Sequence, residues 1–209
     1  VGGLFFGGSG LMSERAEDMN VRNASTACDI GFNVNPGAYA KLASNFKLGA
    51  ASTFTVKGTS VTVKGVFDAD DKTLSGTSTN AVTVNDFGLF KTANALGFSG
   101  GTTTSLGSNI AAINLDAGST VDYYSAADQI VTNGAITSPT GINYQNLEIS
   151  GTGLKTGATV ATGAATGNII VNQITKINDG AKLHIAETAD NVAPNVLRAK
   201  GGINVSTAT

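Results

Sequence analysis

Apolar and polar residues alternate over short stretches through most of the chain beyond residue 50, and this pattern predicts β-strands. Val, Ile and Thr recur at every second position, which gives a strand one buried and one exposed face. Gly, Asn, Asp and Ser separate the stretches, as expected of tight turns. Short strands are predicted around Phe54, Val56, Val61, Val63, Val66 and Phe67, and at 81–84, 110–115, 120–124, 129–131, 147–150, 168–171, 174–177, 182–185 and 203–205.

A partial repeat bears on how these strands are arranged. Residues 113–123 and 174–185 share an order of strand, polar corner with Gly, small residue and strand. The two corner glycines, Gly118 and Gly180, are 180 − 118 = 62 residues apart, which matches about three solenoid turns of about 20 residues. Helical periods are absent between the strands, so a βαβ architecture is not expected. The sequence predicts an all-β fold, with a parallel β-helix-like β-solenoid favoured and a β-sandwich with strand exchange as the alternative.

The first fifty residues follow the pattern less clearly. We expect residues 1–23 to form an apolar, glycine-rich N-terminal arm and linker, and residues 24–209 to form the all-β body. Ala38, Leu42 and Phe46 lie at four-residue intervals after Pro36, so one short helix is predicted there, with an all-β interpretation as the alternative.

The N-terminal arm is the candidate polymer interface. It contains Leu4, Phe5, Phe6 and Leu11 among five glycines in twelve residues. Such a segment is costly to order alone, so its apolar side chains need a groove. We expect it to be donated to a neighbouring copy, where it adds a strand to a sheet. The alternative is that residues 1–12 fold back as an edge strand or cap on their own domain.

Composition excludes several classes of function. Charged residues make up 13% of the chain, the net charge is −2, and the 13 Lys and Arg residues are scattered, so nucleic-acid binding is not expected. No apolar run approaches the ~20 residues that span a bilayer. The hydrophobic fraction of 41% is nevertheless large enough for a packed core.

Residues that carry chemistry are few. His184 is the single histidine and Cys28 the single cysteine, so neither a catalytic triad nor a histidine-rich metal site is expected, and we predict no enzyme activity and no cofactor. Cys28 is interpreted as a small buried hydrophobe, with lipidation or an intermolecular disulfide as alternatives. Asp68, Asp70 and Asp71 predict a solvated hairpin tip, with a weak calcium site as the alternative.

Part of the chain resembles a known family. The segments STVDY at 119–123, DQIV at 128–131, YQNLEISGTGLKT at 144–156 and GNIIV at 167–171 are similar to the repeats of large surface adhesins of Bacteroidetes-type bacteria. The resemblance covers residues 113–185, about a third of the chain. It implies a secreted, surface-exposed, β-solenoid-like protein. Those adhesins carry many copies of the repeat, whereas this chain has one clear copy and an unrelated N-terminal half.

These observations predict a structural protein. We expect the subunit of a self-assembling extracellular filament or surface layer, whose partners are other copies of itself through the donated segment and strand edges. The alternative is a monomeric cell-surface adhesin domain that binds glycans or another surface. A polysaccharide lyase on a β-helix ranks third, because no cluster of acid, base and cation residues is evident.

Overall fold

The computed structural model describes residues 3–6, 31–133, 142–157, 168–185 and 196–206, and in 3–6 only the backbone is described. These residues form strands, turns and loops without a helix, so they contain no helix that could cross a membrane. The described strands pair in parallel, and they stack turn upon turn as a β-solenoid. The predicted all-β solenoid is thereby confirmed.

The two longest sheets form two faces of the solenoid. The first face consists of β1 (Gly3–Phe6), β2 (Gly31–Val34), β5 (Thr53–Val56), β8 (Ala81–Val84) and β10 (Ala112–Leu115). The second face has seven strands in order: β3 (Tyr39–Lys41), β6 (Val66–Asp68), β9 (Leu89–Thr92), β11 (Thr120–Tyr123), β14 (Asn146–Ile149), β17 (Thr175–Ile177) and β20 (Ile203–Val205).

Three smaller sheets complete the walls. In the first two of these sheets, each strand comes directly after a second-face strand in the sequence. In the third, which belongs to the C-terminal half, each strand comes directly before one. They are β4 (Phe46–Lys47) with β7 (Leu74–Ser75); β12 (Gln129–Val131), β15 (Leu154–Gly157) and β18 (Lys182–His184); and β13 (Asn143–Tyr144), β16 (Ile169–Val171) and β19 (Leu197–Ala199).

The turns of the solenoid are unequal in length. The repeat in the sequence suggested about 20 residues for each turn. The turn that joins β2 to β5 is close to this length, because Gly31 lies beside Thr53. The turn that joins β8 to β10 is longer, since Asn114 donates a hydrogen bond to Thr83 across an interval of 31 residues.

The two glycines compared in the sequence are not equivalent positions of the solenoid. Gly118 lies in the corner before β11 on the second face, and Gly180 lies in the corner before β18. Both have a left-handed backbone, with φ of 82° and 73°, which glycine adopts without a steric cost. Their likeness therefore reflects two corners of the same kind rather than a whole number of turns.

The core consists of inward-facing rows that run from turn to turn. Along the second face one row is formed by Ala40, Phe67, Phe90, Val121, Leu147, Thr175 and Ile203. Aromatic rings pack within and between the faces: Phe32 stacks on Phe54 of the same face with centroids 4.7 Å apart, and Phe54 meets Phe67 of the second face edge-on at 4.6 Å. Each such pair contributes about 0.5–1.5 kcal/mol beyond the burial of its surface.

Two local predictions were wrong. Residues 38–46 form β3, a bend and the start of β4, so the all-β alternative holds there and the helix does not. Val61 and Val63 do not lie in a half-buried strand. They are 70% and 44% exposed in a loop that an antiparallel bridge between Gly58 and Lys64 closes.

Candidate functional site

The C-terminal end of the second face leaves a strand edge open. Within the described residues β20 has one partner strand, β17. Ile203 and Val205 occupy the inward-facing positions of β20, beside Thr175 and Ile177, yet they are 51% and 63% exposed. The end of the stacked sheet therefore presents apolar side chains that a further turn would bury.

The main chain of β20 also has polar groups that point away from its partner strand. Thr175 donates its N–H to the carbonyl of Gly202 at 3.1 Å, and Ser206 donates its N–H to the carbonyl of Ile177 at 2.8 Å. Since main-chain groups alternate in direction along a strand, the N–H and C=O groups of Ile203 and Val205 point away from β17. They form the open edge to which another parallel strand would bind.

The N-terminal segment also lies at an edge. Leu4, Phe5 and Phe6 belong to β1, which pairs in parallel with β2 of its own chain and has no second partner strand among the described residues. Leu4 occupies the register position beside Phe32. This arrangement corresponds to the fold-back alternative for residues 3–6, which join the first face of the body. Leu11 and Cys28 lie outside the described residues.

A row of charged residues runs along the second face. Successive strands place these side chains at one register position: Lys41, Asp68, Lys91, Asp122, Glu148, Lys176 and Asn204. The charges alternate in sign except where Asp122 meets Glu148, and the row ends on a neutral amide. Opposite charges at neighbouring positions of a parallel ladder attract, so most of this row favours its register.

The like-charged pair has an electrostatic consequence. Asp122 is 5% exposed and accepts a hydrogen bond from the hydroxyl of Ser150 at 2.5 Å. Burial raises the pKa of Asp122 to about 6; the Ser150 hydrogen bond lowers it and the charge of Glu148 raises it further. Burial also raises the pKa of Glu148, but hydrogen bonds from Asn178 and Lys176 outweigh it and bring that pKa below its usual value.

The three aspartates considered for calcium have protein partners. Asp68 is 4% exposed and accepts hydrogen bonds from the hydroxyls of Tyr39 at 2.7 Å and Tyr124 at 2.8 Å, so the expected solvated hairpin tip is wrong at this residue. Asp70 lies 2.9 Å from the Nζ of Lys41, and Asp71 pairs with the next residue. Within the described part of the chain no group of three or more His, Cys, Asp or Glu residues is placed to hold a metal ion.

Beside the C-terminal half of the charged row lies a groove of about 380 Å³. Its floor is the outer surface of β11, β14, β17 and β20, and the exposed loop 58–64 forms one wall. We call it the second-face groove. The residues that line it are both apolar and polar: Val61, Lys64, Phe87, Gly118, Thr120, Asn146, Leu147, Glu148, Gln173, Ile174, Lys176 and Asn204.

Phe87 is held in the groove wall at a backbone cost. Its φ is 58°, a left-handed conformation that is rare for a bulky side chain, and such strain costs on the order of 1–3 kcal/mol. A Cβ atom at Gly118 would lie 3.6 Å from the ring carbons of Phe87, so the ring lies against this glycine. Strain of this kind persists where the surrounding structure imposes it, and it concentrates at functional sites.

The polar lining of the groove is only partly satisfied. Asn146 donates to the Oε1 of Gln173 at 3.0 Å, and the Oε1 of Glu148 accepts hydrogen bonds from Lys176 at 3.0 Å and Asn178 at 2.8 Å. Within the described residues, the Oε2 of Glu148, the Nε2 of Gln173 and the side-chain amide of Asn204 make no hydrogen bond. These groups are free to bind a polar ligand.

Two further side chains show what sequence reasoning found and missed. His184, the single histidine of the sequence, is exposed on β18 and shares a face with Lys182. Lys155 was not singled out for burial, yet it is fully buried and donates hydrogen bonds to the carbonyls of Ser125 at 2.6 Å and Gly153 at 2.9 Å. Burial lowers the pKa of its amine.

Comparisons with protein-family models, with curated proteins and with solved structures find no match to this chain. The two strand edges and the second-face groove are therefore the features from which a function can be inferred.

Proposed function

We propose that this chain is the structural subunit of a self-assembling extracellular filament or surface layer, and that it acts without catalysis. The observation that carries the proposal is the open edge of β20. Ile203 and Val205 are 51% and 63% exposed there, whereas Leu147 and Ile149 are fully buried at the same register positions two turns earlier. A strand from a second copy would bury the exposed side chains and bind the outward main-chain groups.

Another copy of the chain is the proposed occupant of this edge, because the described residues also include a complementary edge at β1. β1 has one edge without a partner strand among the described residues, and its residues Leu4, Phe5 and Phe6 are apolar. Contact between the C-terminal end of one copy and the N-terminal end of the next joins two different surfaces. Such a heterologous contact extends without closing and generates a filament.

Charge also favours end-to-end contact. The charged row of the second face ends on Asn204, a neutral residue that follows Lys176. The last position of the row therefore presents no charge to the turn of a neighbouring copy. With 13% charged residues and a net charge of −2, the whole chain has little self-repulsion to overcome.

Substitution at the open edge tests the proposal. Val205→Lys places a charge on the exposed edge, and edge charges oppose strand addition. We expect purified protein to form filaments in negative-stain micrographs, and the variant to sediment as a folded monomer. Leu96→Lys is the matched control, because Leu96 is 51% exposed in a turn after β9 and lies in neither β1, β20 nor the second-face groove. Filaments that survive Val205→Lys, or a native chain that stays monomeric at high concentration, would refute end-to-end assembly.

The N-terminal segment is proposed to contribute in one of two ways. It pairs with β2 of its own chain and offers its other edge to a neighbour, or the β1–β2 pairing is exchanged between copies, which preserves the same contacts. Deletion of residues 1–12 tests its role in both. We expect a folded, soluble monomer by circular dichroism and sedimentation. Unchanged filaments after the deletion would remove the segment from the polymer interface.

A second candidate function rests on a different observation. The second-face groove favours a monomeric cell-surface adhesin domain that binds glycans or another surface, since grooves with apolar walls and a few free polar groups are typical binding sites. Dispersed particles that bind glycans on an array would favour this function. The extracellular location in both proposals rests on the resemblance of residues 113–185 to surface-adhesin repeats.

A further inference from the structure

We infer that the second-face groove binds an acidic saccharide, a sugar chain that carries carboxylate groups. This inference deepens the second candidate function and is independent of filament formation. It rests on the kinds of side chain that line the groove, on their charge balance and on the strained conformation of Phe87.

The groove offers two kinds of surface to a sugar ring. A pyranose has an apolar face of C–H groups and an edge of hydroxyls that both donate and accept hydrogen bonds. The ring of Phe87 and the side chains of Val61 and Ile174, the latter 40% exposed, provide the apolar contact. The free Nε2 of Gln173, the Oε2 of Glu148 and the amide of Asn204 provide donors and acceptors for hydroxyls.

The charge balance selects an acidic sugar. Lys64, Lys176 and Glu148 are the charged residues that line the groove, so cations exceed anions by one. Lys176 is bound to Glu148 at 3.0 Å. Lys64 makes no side-chain hydrogen bond within the described residues, although its positive charge helps to lower the pKa of Glu148. Its ammonium group is therefore available to a ligand carboxylate, as a charge-assisted hydrogen bond.

Phe87 is assigned to the ligand rather than to the core. A residue selected for packing alone is expected to relax to an unstrained conformation, or to be replaced by Gly or Asn at a φ of 58°. The ring instead forms part of the groove wall against Gly118. The assignment predicts that removal of the ring costs binding and does not cost stability.

The test uses the full chain and a four-residue uronic acid oligomer as the probe, with a neutral hexose oligomer of the same length as its counterpart. We expect calorimetric titration to detect the acidic oligomer only, with affinity that falls as salt is added. Lys64→Met keeps the stem and removes the charge, and it should weaken binding about tenfold or more. Lys182→Met, an exposed lysine on β18, is the matched control and should bind as the native chain does.

A second variant separates binding from folding. Phe87→Asn suits the left-handed backbone, so its melting temperature should equal or exceed that of the native chain while binding falls about tenfold. No binding of the acidic oligomer at millimolar concentration, equal binding of the neutral one, or full binding by either variant overturns the inference. Filaments that form without sugar binding would contradict this inference alone, and sugar binding by a permanent monomer would contradict the filament alone.

Discussion

Asp122 couples the stability of the fold to pH. Its pKa is raised to about 6 by burial, above the value of about 3.9 expected in an unfolded chain. The folded state therefore binds the proton more tightly. The stability that this proton contributes is fully present below about pH 4 and is lost as pH rises through about 6.

Asp122→Asn should remove this pH dependence. Between pH 4 and pH 7.5 this group is expected to lower the free energy of unfolding of the native chain by roughly 2–3 kcal/mol. The free energy of unfolding of the variant should not show this decrease. Urea unfolding at both pH values measures the difference. Asp86→Asn, at an exposed aspartate, is the control. A parallel pH dependence in Asp122→Asn and the native chain would show that Asp122 is not the responsible group.

Lys155, in β15, is expected to stabilise the corner that precedes this strand and the stacked corner of the preceding turn. Its ammonium group bonds to the carbonyls of Ser125 and Gly153. Lys155→Met keeps the length of the side chain but leaves both acceptors without their donor, which costs about 1–3 kcal/mol. Chemical denaturation should show this loss, whereas Lys182→Met at an exposed position should change stability by less than about 0.5 kcal/mol. Equal effects of the two substitutions would argue against a structural role for the buried amine.

At the level of elements, the corners decide how closely successive turns stack. A Cβ atom at Gly153, just before β15, would lie 2.0 Å from the carbonyl oxygen of Ala127 in the preceding turn. One at Gly31 in β2 would meet Thr53 at an ordinary 3.6 Å. Gly153→Ala should therefore force the two corners apart and lower the melting temperature strongly, and Gly31→Ala should leave it nearly unchanged. Calorimetry compares them, and a tolerated Gly153→Ala would mean that these corners are not rigidly stacked.

The strands themselves were readable from the sequence where alternation and turn residues coincide. The bounds of β8, β12 and β20 agree with those predicted. β9 was missed because Leu89–Thr92 combines one lysine and one phenylalanine with few β-branched residues. The loop 58–64 was mistaken for strands because its valines alternate with polar residues in the same way that buried strands do.

The candidate site was beyond sequence reasoning for a physical reason. Its groups come from different turns, so no local pattern places them together. In the groove, for example, Asn146 donates a hydrogen bond to Gln173, which is 27 residues away. The turns also differ in length: Phe32 lies beside Phe54 and Phe54 beside Val82, and only the second of these turns contains the loop 58–64. Without the register of the strands, the meeting of the groove residues has no signal in the sequence.

At the level of the whole molecule, each strand pairs with strands of the adjacent turns, so stability is distributed along one axis. The central strand β11 is buried at all four positions, whereas β20 is exposed at all three. We expect amide hydrogen exchange to be slowest around β11 and fastest at the C-terminal end. Among the described residues β20 pairs with one strand only, and the proposed assembly would add the second.

Hydrogen exchange at single-residue resolution therefore tests the assembly directly. In the isolated chain the amide of Ser206 bonds to Ile177, while those of Ile203 and Val205 point away from β17 and should exchange rapidly. If a strand of another copy adds to this edge, these two amides become bonded and their exchange should slow by about tenfold or more. The amide of Val121 in β11 is the internal reference and should change little. Assembled material in which Ile203 and Val205 exchange as fast as in the monomer would show that copies associate through some other surface.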